Sequence, residues 1–277
     1  MTVSINNNQS AILALQSLNQ SMSDAQDANN RVSTGRRIDK PSDNAAVWGL
    51  AQRLRSDQSS LQSVTDSLNR AVSIIGVANT AGATVSDLLN QLKSKAVSAT
   101  DPSLDATART AYNNDFKALL QQLTQAVSSA VFSGSNLIDG SIAVPGLKFI
   151  SDATNTSFIT ITPQPMALGS TNVTLTAGAD ILTVTRASAF LTMINSSINN
   201  VTMALGKLGS QTTALNLRVA YIGRLSDSLA QGVSNLVDAD IAKESSALQA
   251  LQVKQQLGAQ SLSIANSRPQ VILSLFK

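Results

Sequence analysis

From Leu191 to Leu236 the apolar residues recur at alternating steps of three and four. They are Leu191, Ile194, Ile198, Val201, Leu205, Leu208, Leu215, Val219, Ile222, Leu229, Val233 and Leu236, and only Thr212 and Ser226 interrupt the series. This spacing fills the a and d positions of a coiled-coil seam for about six heptads. A straight helix of ~45 residues is roughly 70 Å long. An apolar stripe of that length has to be covered by something equally long.

A matching stripe lies upstream. It runs through Val47, Leu50, Leu54, Leu61, Val64, Leu68, Ala71, Ile75, Ala78, Val85, Leu89, Leu92 and Ala96, with Asp57 and Gly82 as its breaks. Neither stretch contains proline, so neither helix has to kink. After the turn at Asp101-Pro102, where Pro102 suits a first helical position, a third helix carries Tyr112, Phe116, Leu119, Leu123, Val127 and Ala130 on one face. Its short connection makes it the antiparallel neighbour of the second helix. The chain reads as mainly α: a long coiled-coil-like helical rod closed on itself.

Between these helices the period changes. Gly134, Gly140, Gly146, Pro145, Pro163 and Pro165 punctuate short runs. Ile159 and Ile161, Val173 and Leu175, and Leu182 and Val184 alternate with threonines, as half-buried strands do. Residues 177–180 read as a hairpin turn. A small β-hairpin or sheet region, inserted at about 131–187, is expected at the distal end of the rod.

The two ends carry their own helices. Ala11, Leu15, Leu18, Met22, Ala25 and Val32 form a heptad series widened by Ile5, Ile12 and Leu13. Asn29 falls in that series and either sets its register from a core position or faces solvent. Gly35 suits a left-handed cap, and Ser42 or Asp43 suits the cap of the next helix. Arg31, Arg36, Arg37 and Lys40 between them read either as a site for an acidic partner or as solvated cations near a helix C-terminus. Asp238 and Asp240 sit at the start of the last helix, where carboxylates are favoured. That helix carries Ile241, Leu248, Leu251, Leu257, Leu262 and Ile264, and Gly258 within it suggests close packing or a weak point.

Composition narrows the function. Hydrophobic residues are 43% of the chain, but aromatics are 3% and charged residues 13%. A thin aliphatic core with Ser-, Thr-, Asn- and Gln-rich outer faces suits packing against further copies without burying charge. The chain has no His and no Cys, which excludes histidine bases, thiolate catalysis, disulfides and the common zinc sites. No catalytic, cofactor-binding or metal-binding residues are expected. A net charge of only +3 makes nucleic acid a poor partner. The apolar runs are short of the ~20 residues that span a bilayer, so no membrane insertion is expected. No signal peptide is apparent, since the first basic residue is Arg31 and Ile12–Leu15 is too short for an apolar core segment.

Several motifs carry a resemblance. Ser4-Ile5-Asn6-Asn7-Asn8, Arg31-Val32-Ser33-Thr34-Gly35-Arg36-Arg37-Ile38 and Asp43-Asn44-Ala45-Ala46 resemble the N-terminal signature of bacterial flagellins. Val131-Phe132-Ser133-Gly134 is similar to the family's turn after its third helix. Asp238-Ala239-Asp240-Ile241-Ala242-Lys243-Glu244 and the segments Ala265-Asn266 and Leu273-Ser274-Leu275-Phe276-Lys277 match its C-terminal signature. Asn44, where many relatives have Asp, and Val47-Trp48, in place of a small residue, depart from the pattern.

The resemblance implies a structural subunit that self-assembles into the helical flagellar filament for swimming motility. The related alternative is a hook–filament junction protein. A chemoreceptor signalling hairpin, with similar heptads, would carry more charge and a membrane anchor. The resemblance also implies that the terminal helices pair, with 1–42 and 237–277 forming an inner domain lining the filament channel and 43–236 a rod domain. It implies export through the type III apparatus to the outside of the cell. Its partners would be identical or sister flagellins, an export chaperone, and the junction and cap proteins. The expected polymerisation interface is Ile5, Ile12, Leu15, Leu18, Met22, Leu248, Leu251, Leu257, Leu262, Ile264, Leu275 and Phe276. Gln91, Lys93 and Ser94 fall where relatives sensed by the animal Toll-like flagellin receptor carry an Arg- and Glu-containing patch. The resemblance implies a weakened patch here.

Overall fold

The computed structural model describes residues 8–274, with side chains described as far as Ser267. Its elements are α1 (Gln9–Thr34), α2 (Ala45–Ala99), α3 (Ala106–Ser128), β1 (Leu147–Ile150), β2 (Phe158–Ile161), α4 (Val184–Val237) and α5 (Ile241–Ser274). The chain divides into two compact units, one from Met1–Gln58 with Ser228–Lys277 and the other Ser59–Asp227. Residues 45–58 of α2 and 228–237 of α4 belong to the unit that holds the terminal helices.

The larger unit is built on the seams. On α2, Leu61, Val64, Leu68, Ala71, Ile75, Ala78, Val85, Leu89, Leu92 and Ala96 are all buried. On α4, Ile194, Val201, Leu208, Leu215 and Ile222 are buried, while Leu191, Ile198, Leu205 and Val219 between them are half-buried. One row of the heptad therefore sits deep and the other at its margin. On α3, Phe116, Leu119, Leu123 and Val127 face the core, and the Phe116 ring lies 6.4 Å from that of Phe190 on α4. At Gly82, one of the breaks, an added Cβ would lie 2.7 Å from Leu205 Cδ2 and 3.2 Å from Met166 Sδ. The missing side chain lets α2, α4 and the loop meet there. Among the described residues, α2 alone is long and apolar enough, by length and composition, to cross a bilayer. Its seam residues from Leu61 to Ala96 are buried in this core, while Leu50 and Val97 are exposed.

Polar residues stand at two core positions of α3. Buried Arg109 donates to the carbonyls of Ala99, Asp101 (2.9 Å) and Leu104 (3.4 Å), tying off the end of α2 and the turn after it. Asn113 accepts from the Ile181 N–H at 3.0 Å. Both continue the spacing of Phe116, Leu120 and Leu123, which was a signal available in the sequence.

Three local expectations change. Pro102 lies in a turn, and α3 begins later, with Asp105 accepting from the Ala108 N–H at 2.6 Å. Neither Ser42 nor Asp43 caps α2; Asn44 does, through the Val47 N–H at 3.1 Å. The hairpin expected around residues 177–180 is absent. Val173, Leu175, Ala179 and Ile181 are buried, but their segments pair with side chains and loops rather than with each other. The Thr174 N–H donates to Ser197 Oγ at 3.1 Å, and the Leu175 carbonyl accepts from Gly169 at 2.7 Å. Thr183 then caps α4 by accepting from the Arg186 N–H at 3.3 Å, so helix replaces strand from Val184. The sheet among the described residues is the antiparallel pair β1–β2, with Leu147 opposite Ile161 and Ile150 opposite Phe158.

Candidate assembly interface

In the terminal unit α1 and α5 pair antiparallel. Asn8 Nδ2 donates to the Ala265 carbonyl at 2.8 Å, Leu18 lies against Gly258, and Gln255 Nε2 donates to the Ser21 carbonyl at 3.1 Å. Arg31 and Glu244 approach to 3.6 Å. Each pair steps up one helix as it steps down the other. The two side-chain amides bonded across the pair fix its register, because a slip would strand them.

The inward face of α1 is Ala11, Ala14, Leu18, Ser21, Ala25, Ala28 and Val32; that of α5 is Glu244, Leu248, Leu251, Gln255, Gly258, Leu262 and Ala265. Both are heptad rows, and most of the α1 row is small. Small side chains allow close approach, and the leucines of α5 fill the remaining space. At Gly258 an added Cβ would come within 3.3 Å of Leu18 Cδ1, as expected of a close-packing glycine. Ala11, Leu18, Ala25 and Val32 of the row expected on α1 face inward, but its alternate positions move by one residue, to Ala14, Ser21 and Ala28 in place of Leu15, Met22 and Asn29. The register is set by amides and small residues rather than by Asn29.

This displacement turns the larger apolar residues outward. Ile12 is 56% exposed, Leu15 46%, Met22 56%, Leu257 57% and Ile264 57%, joined by Leu13 and Val253. Leu18, Leu248, Leu251 and Leu262 are half-buried on the inward rows. The expected interface thus separates into residues that hold the pair together and residues that face away from it. Ile5, Leu275 and Phe276 lie outside the described residues. A groove of about 740 Å³ runs along the pair between Leu13 and Leu257, floored by Ser17, Ser21 and Gly258.

Below the pair, Gly35 takes a left-handed φ of 69° and ends α1. The basic cluster is engaged locally: Arg36 bonds Asp39 at 3.0 Å, and Arg37 donates to the Leu236 carbonyl at 2.9 Å. The Asp39 and Lys40 N–H groups donate to the Asp43 carboxylate and hold it below the usual carboxylate range. Asp240 caps α5 through the Lys243 N–H at 3.1 Å. Ile38, Ala51, Val233 and Val237 close a small apolar core beneath, with Val47, Trp48, Leu54 and Leu236 packed on it. In the other unit, Gln91, Lys93 and Ser94 are exposed on α2. Lys95 beside them pairs with Asp115 at 2.7 Å.

Residues 5–143 match the bacterial flagellin N-terminal helical region, and residues 191–276 match the bacterial flagellin C-terminal helical region. Flagellin FljJ of Caulobacter vibrioides is 44% identical over 277 residues, covering 100% of this chain and 99% of that protein. A flagellin of Brucella melitensis is 33% identical over 295 residues, covering 99% of each. Among solved structures, a flagellar hook-associated protein from Vibrio parahaemolyticus aligns with a TM-score of 0.54 at 12% identity. It covers 71% of this chain and 100% of that one, and shares the fold. The chain belongs to the bacterial flagellin family.

Proposed function

We infer that the protein is the structural subunit of a helical flagellar filament, and that the outward apolar rows of α1 and α5 are its polymerisation interface. The observation that carries the interface is the exposure of Ile12, Leu15, Met22, Leu257 and Ile264 on a helix pair whose inner face is already filled. A row of large apolar side chains beyond the pair's own seam marks an association site. The head-to-tail contacts of a helical array cover such rows without closing into a ring. Full-length likeness to flagellins, against a fold-level likeness to a hook-associated protein, supports the filament over the junction.

The finer reading follows the family. Residues 1–42 with 237–277 act as the inner domain and 43–236 as the rod. The chain is exported by the flagellar apparatus, with the help of an export chaperone, to the outside of the cell, where it meets junction and cap proteins. The test is Leu257→Asp. Leu257 is exposed in the single subunit, so the change there stays within about 0.5 kcal/mol. In the filament it buries an unpaired carboxylate at a cost of several kcal/mol per copy. The variant monomer is expected to unfold as the parent does and to fail to extend filament seeds. Normal extension would remove Leu257 from the interface.

A further inference from the structure

The chain has five Met and no Cys. Sulfur oxidation therefore falls on thioethers, with no thiol to intercept the oxidant. The described methionines differ in access. Met166 is fully buried, and Met193 is half-buried on α4. Met22 is 56% exposed on α1 and Met203 59% exposed on α4.

Met22 differs from Met203 in its surroundings. It stands one heptad after Leu15 on the outward row of α1, beyond the seam that joins α1 to α5. Its helical neighbours at three and four residues are Leu18, Asn19, Ala25 and Gln26, none of them charged. A thioether suits a contact row because it is apolar and flexible. The same side chain is open to oxidants while the subunit is free and is covered once the row is in contact, and susceptibility follows exposure.

We propose that Met22 is an oxidation site through which peroxide-class oxidants hold free subunits out of assembly. The proposal rests on the interface assigned to the outward rows. In the step, a lone pair of the Met22 sulfur attacks one peroxide oxygen and the O–O bond breaks. The proton on the transferred oxygen passes to the departing hydroxide, which leaves as water, and the sulfur is left as a sulfoxide. Sulfur loses two electrons and the peroxide gains them. The product is a polar side chain in place of an apolar one. On the free subunit its S=O group meets water, so the fold is unchanged. In a contact shared with Ile12 and Leu15 it loses that water, and an unpartnered acceptor opposes association. Methionine sulfoxide reductases return the thioether, so the block is reversible.

The test treats purified free subunits with hydrogen peroxide, locates the added oxygen by peptide mass spectrometry, and measures extension of untreated filament seeds. The parent, Met22→Leu and Met203→Leu are compared. Leucine is apolar, of similar size, and a mild exchange for methionine. Treated parent and treated Met203→Leu, both oxidised at Met22, are expected to extend seeds at least about tenfold more slowly than before treatment, because the covered acceptor is unpaired. Treated Met22→Leu is expected to keep its untreated rate although Met203 is oxidised, and reductases acting on both sulfoxide epimers should restore the parent. Thermal unfolding of the free subunits should be the same before and after treatment. Loss of extension in treated Met22→Leu equal to the parent's would overturn the proposal, as would undiminished extension by a parent oxidised at Met22. Failure of the untreated, unaltered chain to extend seeds would instead remove the filament reading, and this site with it.

Discussion

At the scale of single residues, backbone geometry makes two glycines opposite cases. Gly146 has φ +113°, and a Cβ there would fall 1.9 Å from the Ile161 carbonyl oxygen across the β1–β2 pair. Gly223 on α4 meets nothing within 4 Å. Gly146→Ala is expected to cost at least about 3 kcal/mol, from strain and overpacking together. Gly223→Ala should gain about 0.5–1 kcal/mol through helix propensity. Thermal unfolding of the two monomeric variants checks both signs. Asp152 in the turn after β1 is held by the Thr156 hydroxyl above all, with the Ser157 N–H, the Thr154 hydroxyl and the Thr156 N–H, and its pKa falls to about 2. The folded value lies below the unfolded one. The turn's stabilisation is therefore complete above the ordinary carboxylate range and is lost as pH falls through about 2. A carboxyl titration followed by NMR should place the Asp152 midpoint there; a midpoint near 4 would mean that the turn does not hold the carboxylate.

At the scale of elements, the helix pair gives two leucines different tasks. Leu251 is half-buried on the inward row of α5, facing α1. Leu251→Asp should therefore separate the pair in the monomer, read as lost helicity and raised proteolysis of both ends, whereas Leu257→Asp should not. Equal behaviour of the two variants would mean that the rows are wrongly assigned. The two long seams were legible in the sequence because large apolar residues at heptad spacing leave one solution, and Ile194, Val201 and Leu208 lie where that solution puts them. The terminal pair was legible only to within one residue. A heptad reading sends the largest apolar side chains inward, so it chose Leu15 and Met22. Close helix approach takes Ala14 and Ser21 instead and leaves the larger residues for neighbours. Periodicity also misread residues 173–181, where Val173, Leu175, Ala179 and Ile181 plug a core from a loop with backbone bonds to Asn113 and Ser197, and residues 182–184, which are exposed where α4 begins. On α2, Gln91 and Ser94 are exposed; if they stand, as the resemblance implies, where relatives carry an Arg and a Glu, the point charge of Lys93 does not restore the lost pairing. Purified monomer is expected to activate the animal Toll-like flagellin receptor weakly. Strong signalling at low monomer concentration would contradict that assignment.

At the scale of the whole molecule, the account separates folding from assembly. The Ser59–Asp227 unit holds its own core, from Leu61 to Ile222. In the terminal unit, Ala51 and Val233 pack with Val47, Trp48, Leu54 and Leu236 in a small core that Ile38 and Val237 complete. The helix pair adds mainly its own small-residue seam, and carries outward the apolar rows that further copies would cover. Removing residues 1–42 and 237–277 takes away the proposed interface and, with it, Ile38 and Val237 of the small core, but leaves the seams of the Ser59–Asp227 unit partnered. The direct measurement is electron microscopy of filament seeds incubated with this truncated chain, alongside its circular dichroism. The account predicts a soluble chain that keeps the helicity of its remaining helices and adds no length to the seeds. Long filaments built from the truncated chain, or loss of its helical fold in solution, would contradict it.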